Sequence, residues 1–458
     1  MSYQLRRAAI RLSVVLVTLA TVLVPAIVAP ASTISIPRTL TGKVSTDGDR
    51  SVTFRFTPTH VAFSWTGREG TGVEFSLDGT EWTEATEAHD LEDGSRHYSG
   101  IFTVARPDGL RWRPIGRGVS DVTVDYLNTV DGPKITKVVP ATATASASTP
   151  AIVSRAEWLA DESIKKTSGG CKRDFSPLQQ IFVHHTAGSN YDYDPEATMR
   201  AIYAYHVKLR GYCDIAYNFV IGWDGRVYEG RWARNYGPWE VPSSENPKGE
   251  VVVAAHTKDF NTGSVGVALM GNFVNVGAPK VMKDALVGLL AWEVDRHDLD
   301  PTSKHSYVNP ATGKKKWLPV VAGHRDAGQT ACPGGKVYDK LPRFRKRIAA
   351  LAAPGKDVPK VVLGASDKDI TKGEATTLTA QLTDSAGTAM VSQPLTIWVK
   401  RSNGWAVKAT GTTDGYGQIH LDVAPRKNTK FRAVYDGSEF SWGAQSSNLK
   451  VRVAEASP

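Results

Sequence analysis

The chain has 458 residues, 41% of them apolar and 22% charged, with a net charge of +9. That length predicts two to four domains, each able to bury a core, and the ordinary composition excludes a wholly disordered or fibrous chain. The basic residues are scattered and form no recognition motif, which argues against a nucleic-acid binder.

Residues 1–31 read as a secretory signal peptide. Arg6, Arg7 and Arg11 form a charged start, Leu12 to Val28 is an apolar stretch, and Ala29-Pro30-Ala31 is a small-residue cleavage site. An uncleaved membrane anchor is the alternative, and the Arg pair leaves the export route open. Removing this segment takes away three Arg and no acid, so the net charge falls from +9 to +6. A mildly basic secreted protein is drawn toward polyanionic cell-wall polymers.

Residues 32–132 read as an all-β, sandwich-like domain. Val52 to Phe56 and Val73 to Leu77 alternate with period two, Asp78-Gly79 supplies a turn, and Ile101–Val104, Leu110–Trp112 and Val122–Leu127 continue the pattern. No nucleophile–base pair or metal spacing appears there. Residues 133–150, rich in Ala, Thr and Ser, read as a linker.

Residues 151–353 alternate strands and helices, which predicts an α/β domain with a mixed sheet and packed helices. Ile181-Phe182-Val183-His184-His185 is a short apolar run ending in two histidines, followed by Thr186-Ala187-Gly188. Such a run reads as a buried strand. His184 therefore sits at a strand end, and His185 falls on the opposite face. Asp194-Pro195-Glu196 starts a helix through Met199, Ile202, Tyr203 and His206 that Gly211 ends. Trp223-Asp224-Gly225 is a hairpin signal between Asn218–Ile221 and Arg226–Glu229. Val265–Met270 is a continuous apolar run, so a central strand; Lys280–Asp298 and Lys336–Ala352 read as helices. Residues 354–359 are a second linker. Residues 360–458 are β-rich again, with strands expected at 377–382, 395–399, 418–423, 431–435 and 449–453 and turns at Asn403-Gly404 and Asp414-Gly415. The whole reads as a multidomain chain, a central α/β domain flanked by two all-β domains.

Far downstream of His184 lies Gly323-His324-Arg325-Asp326-Ala327-Gly328-Gln329-Thr330-Ala331-Cys332-Pro333. Two histidines and a cysteine on separate ends of one fold are a ligand set for a catalytic Zn2+, which uses three protein ligands and leaves a fourth position for water. A zinc peptidase of the His-Glu-x-x-His type is excluded, because that motif does not occur.

These stretches, with Ser154-Arg155-Ala156-Glu157-Trp158, Asp214-Ile215-Ala216-Tyr217-Asn218-Phe219, Ala255-His256-Thr257 and Gly263-Ser264-Val265-Gly266-Val267, resemble the zinc-dependent type 2 N-acetylmuramoyl-L-alanine amidases. Animal peptidoglycan recognition proteins and phage amidases share that fold. The resemblance runs from about Ile152 to Ala352 and suggests a secreted, actinobacterial-like member. It implies hydrolysis of the amide between the lactyl group of N-acetylmuramic acid and L-alanine in peptidoglycan, with His184, His324 and Cys332 as metal ligands. A non-catalytic peptidoglycan binder is the alternative. Relatives of that kind typically lack the cysteine ligand, which this chain keeps. The resemblance further implies catalytic roles for Tyr217 and Thr330, and substrate contacts from His206, His256, Thr257 and Arg231. With Cys332 on the metal, Cys171 and Cys213 remain of the three cysteines as a disulfide pair suited to an oxidising compartment. The chain departs from the family at Tyr212-Cys213-Asp214-Ile215-Ala216-Tyr217, where Trp-x-Asp-Ile-Gly-Tyr is usual. It also carries an insertion with Trp232, Tyr236 and Trp239, expected to reshape one groove wall. The last β stretch loosely resembles the immunoglobulin-like modules of secreted actinobacterial enzymes. His60, His89, His97, His297, His305 and His420 have no partner spacing and read as surface residues.

Overall fold

The computed structural model describes residues 32–455 apart from 47–49, 86, 88–95, 140–149, 237–239, 353–356, 358, 386, 402–403, 439–440 and 442–443. The signal-peptide segment, most of the first linker, His89 and Trp239 lie outside the described residues. Among the described residues no helix is long and apolar enough to cross a membrane.

The centre is a mixed sheet of six strands in the order Ile152–Val153, Val227–Glu229, Phe219–Ile221, Ser264–Leu269, Gln180–His185, Val321–Gly323. The Trp223-Asp224-Gly225 turn joins the one antiparallel pair on this path, Phe219↔Glu229 to Ile221↔Val227. The remaining neighbours run parallel. Ser264–Leu269 and Gln180–His185 are buried along their whole length. Strands covered on both faces read as continuous apolar runs because neither side can tolerate polar residues without partners.

The two faces are filled differently. Ile181, Val183, Val265, Val267 and Leu269 point into a core made with Leu286, Leu290 and Val294 of the helix Lys280–Arg296 and with Phe344 and Ile348 of the helix Leu341–Ala352. The expected helix 336–352 is two pieces, Gly335–Tyr338 and Leu341–Ala352, and Pro342 lies in the first turn of the second, where its missing N–H costs nothing. On the opposite face lies the helix Pro195–Ala204. Asp194 caps it by accepting from the Ala197 N–H at 3.0 Å, and a π-helical turn, Tyr205–Leu209, extends it.

Period-3.6 spacing predicts one buried stripe on this helix, yet nearly every residue of it is buried, Thr198 and Arg200 included. Its outer face is covered by the preceding β structure: Ala62, Ile101 and Leu127 share one core with Met199, Ile202 and Tyr203. His60, which reads as a surface residue in sequence, is 1% exposed, with Nε2 3.0 Å from the Thr198 hydroxyl. It begins the strand His60–Thr66, which the alternation pattern did not reveal because six of its seven residues are buried. Backbones also touch here. Ser189 N–H donates to Ile101 O at 3.2 Å, and a Cβ on Gly188 would lie 2.0 Å from that oxygen.

Before residue 140 the strands form sheets around Phe63, Trp65, Phe75, Trp112 and Tyr126. Lys134–Val139, expected as the start of a linker, is a strand paired with Ser32–Pro37. After residue 359 further sheets enclose Leu378, Ile397, Phe431 and Val451. Arg432 of the strand Thr429–Tyr435 lies 4.3 Å from the Trp317 ring of the central hairpin Lys304–Val308/Lys315–Pro319.

Candidate metal centre

His184 and Phe182 project from the same face of their strand, opposite Ile181 and Val183. His324 follows immediately on the neighbouring strand Val321–Gly323 and opens the short turn His324–Ala327. Parallel register pairs Val183 with Gly323, so the two histidines emerge at the same level, with ring centroids 4.7 Å apart. The chain then returns to place Cys332. Arg325 N–H donates to Cys332 O at 3.1 Å, and Cys332 N–H donates to the Thr330 hydroxyl at 3.0 Å. Asp326 holds the turn from both sides, accepting from Gly323 N–H at 2.9 Å and from the Tyr338 hydroxyl at 2.6 Å.

One donor atom from each of His184, His324 and Cys332 lies within 4.8 Å of the others, and all three residues are buried. Two imidazoles and a thiol at that spacing fit a tetrahedral divalent ion of the zinc class. The atoms are assigned by their neighbours. His184 Nδ1 faces Cys332 Sγ at 3.6 Å, whereas its Nε2 faces His256 Nδ1 at 3.2 Å and the Thr257 hydroxyl at 3.4 Å. An ion held at His184 Nδ1 would leave Nε2–H to donate backwards, which would fix tautomer and ring orientation. The chain of bonds continues from His256 Nε2 to Ser264 Oγ at 3.3 Å, and Ser264 Oγ donates to Phe260 O at 2.6 Å. His185 N–H donates to Cys332 Sγ at 3.4 Å, a bond that stabilises the thiolate form. The His185 ring, on the other face, accepts from Phe273 N–H at 3.2 Å.

The glycine-containing strand motif has a steric reason. The His256 ring lies flat on Gly266, where a Cβ would sit 2.3 Å from His256 Cγ.

The four residues expected to contact substrate lie beneath the surface: His206 is 7% exposed, Arg231 8%, His256 0% and Thr257 2%. His256 and Thr257 both lie within hydrogen-bond reach of His184 Nε2. His206 Nδ1 accepts from Ala216 N–H at 3.2 Å and positions the stretch leading to Tyr217. Arg231 N–H donates to Tyr217 O at 2.8 Å, and burial lowers the Arg231 pKa. The Tyr217 ring lies 5.5 Å from the His184 ring. Thr330 acts first as a turn residue, accepting the Cys332 amide.

Stretches that carry the family resemblance also have structural roles. Ser154 and Glu157 close a reciprocal cap, with Ser154 N–H donating to Glu157 at 2.6 Å and Glu157 N–H to the Ser154 hydroxyl at 3.3 Å. Arg155 is buried between Glu162, at 2.7 Å, and Asp214, at 3.0 Å. Burial disfavours the Glu162 anion, but the Arg155 charge and hydrogen bond override it and bring its pKa to about 2. Cys171 and Cys213 are joined by a disulfide beside Asp214, across 42 residues of sequence.

The fold and site thus define an α/β protein with a mixed sheet and a buried two-histidine, one-cysteine centre. The family model described as N-acetylmuramoyl-L-alanine amidase matches residues 174–335. Peptidoglycan-recognition protein SC2 of Drosophila simulans is 32% identical over 193 residues, covering 42% of this chain and 84% of the relative. Peptidoglycan recognition protein 1 of Bos taurus is 31% identical over 200 residues, covering 43% and 86%. The solved structure of wild-type Drosophila PGRP-LB is similar at 28% identity, 42% and 93% coverage and a TM-score of 0.31. The chain belongs to the N-acetylmuramoyl-L-alanine amidase and peptidoglycan-recognition family.

Proposed function

We propose that the protein is a secreted, zinc-dependent N-acetylmuramoyl-L-alanine amidase that binds peptidoglycan and cleaves the bond between the lactyl group and L-alanine. The single observation that carries this reading is Cys332: a buried thiol completes the set with His184 and His324. A bound zinc ion lowers the pKa of water and polarises a carbonyl. The chain's own residues do the remainder. His256 and Thr257 hold His184 in one tautomer, and the His185 amide favours the Cys332 thiolate. Tyr217, beside His184, orients the reacting amide and donates to its developing oxyanion. Thr330, once it has accepted the Cys332 N–H, retains its own hydroxyl proton for the same purpose.

On this reading the β structures on either side are wall-facing modules, the second immunoglobulin-like, and the basic surface favours anionic wall polymers. Incubating the full chain with purified peptidoglycan tests the reaction. New amino termini on alanine without released reducing sugar are expected, with loss of activity on chelation and return on adding zinc. Muropeptide binding without new amino termini would leave a non-catalytic recognition protein.

A further inference from the structure

A second group of donor atoms lies on the far side of the sheet, where the helix Lys280–Arg296 ends. Glu293 sits in its last turn, His297 follows one turn later, and Glu245 reaches in from the inserted segment after Arg231. One donor atom from each lies within 4.8 Å of the others. His297 Nε2 is 2.9 Å from Glu245 Oε1 and 3.7 Å from Glu293 Oε2. Both Glu293 oxygens lack a hydrogen-bond partner among the described residues, and the contact of His297 Nε2 within this group is its ion pair with Glu245. Glu293 is 0% exposed and Glu245 3%. Arg296 donates to both Glu245 oxygens, its Nε to Oε1 at 3.2 Å, and Oε1 also faces His297 Nε2.

Such an arrangement is costly without a ligand. A buried carboxylate lacking any hydrogen bond bears its full desolvation penalty. Burial and the nearby Glu245 charge push the Glu293 pKa well above the ordinary carboxylate range. A proton alone leaves the other Glu293 oxygen without a partner. A divalent ion takes one donor atom from each of the three residues and balances the Glu293 charge, Arg296 being already paired with Glu245. A tetrahedral ion about 2.0–2.1 Å from each donor separates donors by roughly 3.3 Å. The observed separations of 2.9 and 3.7 Å bracket that value.

We propose that Glu245, Glu293 and His297 form a second divalent-cation site, of the zinc class, that clamps the inserted segment to the end of the Lys280–Arg296 helix. One imidazole with two carboxylates suits zinc, whereas magnesium and calcium favour all-oxygen sites. His297 is partly exposed and gives the ion its way in. The site shares no residue with the His184 centre and does not depend on the proposed reaction. The role of the clamp is structural: it fixes the insertion, which Arg234 also ties down by donating to Glu245 O at 3.2 Å.

The test uses the untagged full chain, stripped of metal and titrated with Zn2+ by calorimetry, with elemental analysis of the dialysed product. Two ions per chain are expected for the wild type and one for Cys332→Ser. One is expected for Glu293→Gln and none for Cys332→Ser/Glu293→Gln. A rise in Tm on adding Zn2+ to Cys332→Ser, absent in the double variant, accompanies this. His297→Gln, at a partly exposed position, must show the same loss should Glu293→Gln not fold. Wild-type stoichiometry in both Glu293→Gln and His297→Gln overturns the site. Mn2+ binding tighter than Zn2+ at this site in Cys332→Ser overturns the zinc assignment. Even if the His184 centre keeps its ion in Cys332→Ser, the difference made by Glu293→Gln still reports the second site alone.

Discussion

Within the first proposed metal centre, individual atoms have separable jobs, and substitutions distinguish them. Cys332 would supply the one anionic ligand to a bound ion. In Cys332→Ser a hydroxyl replaces a thiolate, so zinc is expected to be lost or much weakened and turnover to fall below detection. Muropeptide affinity is expected to stay within about tenfold, roughly 1.4 kcal/mol. Calorimetry and a hydrolysis assay on the same variant check both parts. His256 lies outside the proposed ligand set, its Nδ1 3.2 Å from His184 Nε2. Removing such a partner typically costs 10–100-fold in metal affinity. His256→Ala is expected to lower zinc affinity by that factor while the circular dichroism spectrum stays native. Unchanged affinity would assign the orientation of His184 to Thr257 alone.

Among the elements, the helix Pro195–Ala204 depends on what covers it. His60 lies between that helix and the strands before residue 140. Burial, then the Arg200 charge, lowers its pKa from 6.5 to about 3. Folded His60 therefore stays neutral where the unfolded chain takes up a proton. The stability it contributes is complete above about pH 6.5 and is lost as pH falls toward 3, by about 1.4 kcal/mol per unit for this one group. Urea titrations at pH 7 and pH 4.5 are expected to show an acid loss smaller by about 2–3 kcal/mol in His60→Gln than in the wild type. Equal losses would show that His60 does not report on this contact.

For the whole molecule, the central unit read as 151–353 is not closed on itself. Ala62, Ile101 and Leu127 complete its helix-side core, and Gly188 accepts the backbone of Ile101 just beyond the ligand strand. Deleting residues 32–139 exposes that core. A loss of about 2 kcal/mol shifts Tm by roughly 4–8 °C in a unit of this size. Calorimetry of 150–455 against 32–455 is expected to show at least that shift, together with protection lost from the 195–209 amides in hydrogen exchange. An unchanged Tm would make the contact incidental.

Much of the central fold was legible in the residues alone, because its signals are local. The Asp194-Pro195 cap, the Trp223-Asp224-Gly225 turn and the apolar strands at 181–185 and 265–269 each obey short-range backbone and burial rules. The three residues that the structure brings together, His184, His324 and Cys332, were legible too, since few residue types can hold a zinc-class ion and the family resemblance pointed to these three. Local signals could not say what lies across a contact. The pattern of the 195–204 helix marks one buried stripe, and only the docking of strands more than fifty residues earlier buries the other. His297 and Glu293 are four residues apart on a helix end, which in sequence resembles an ordinary solvated pair. Their partner Glu245 comes from an insertion nearly fifty residues upstream. His256 was visible as a motif, but its role was decided by Gly266, whose missing side chain admits the ring against the sheet. Sequence by itself determined the chemistry available to this protein. Tertiary structure decided which groups are desolvated together, because burial is a property of both surfaces of a contact and neither strand carries it alone.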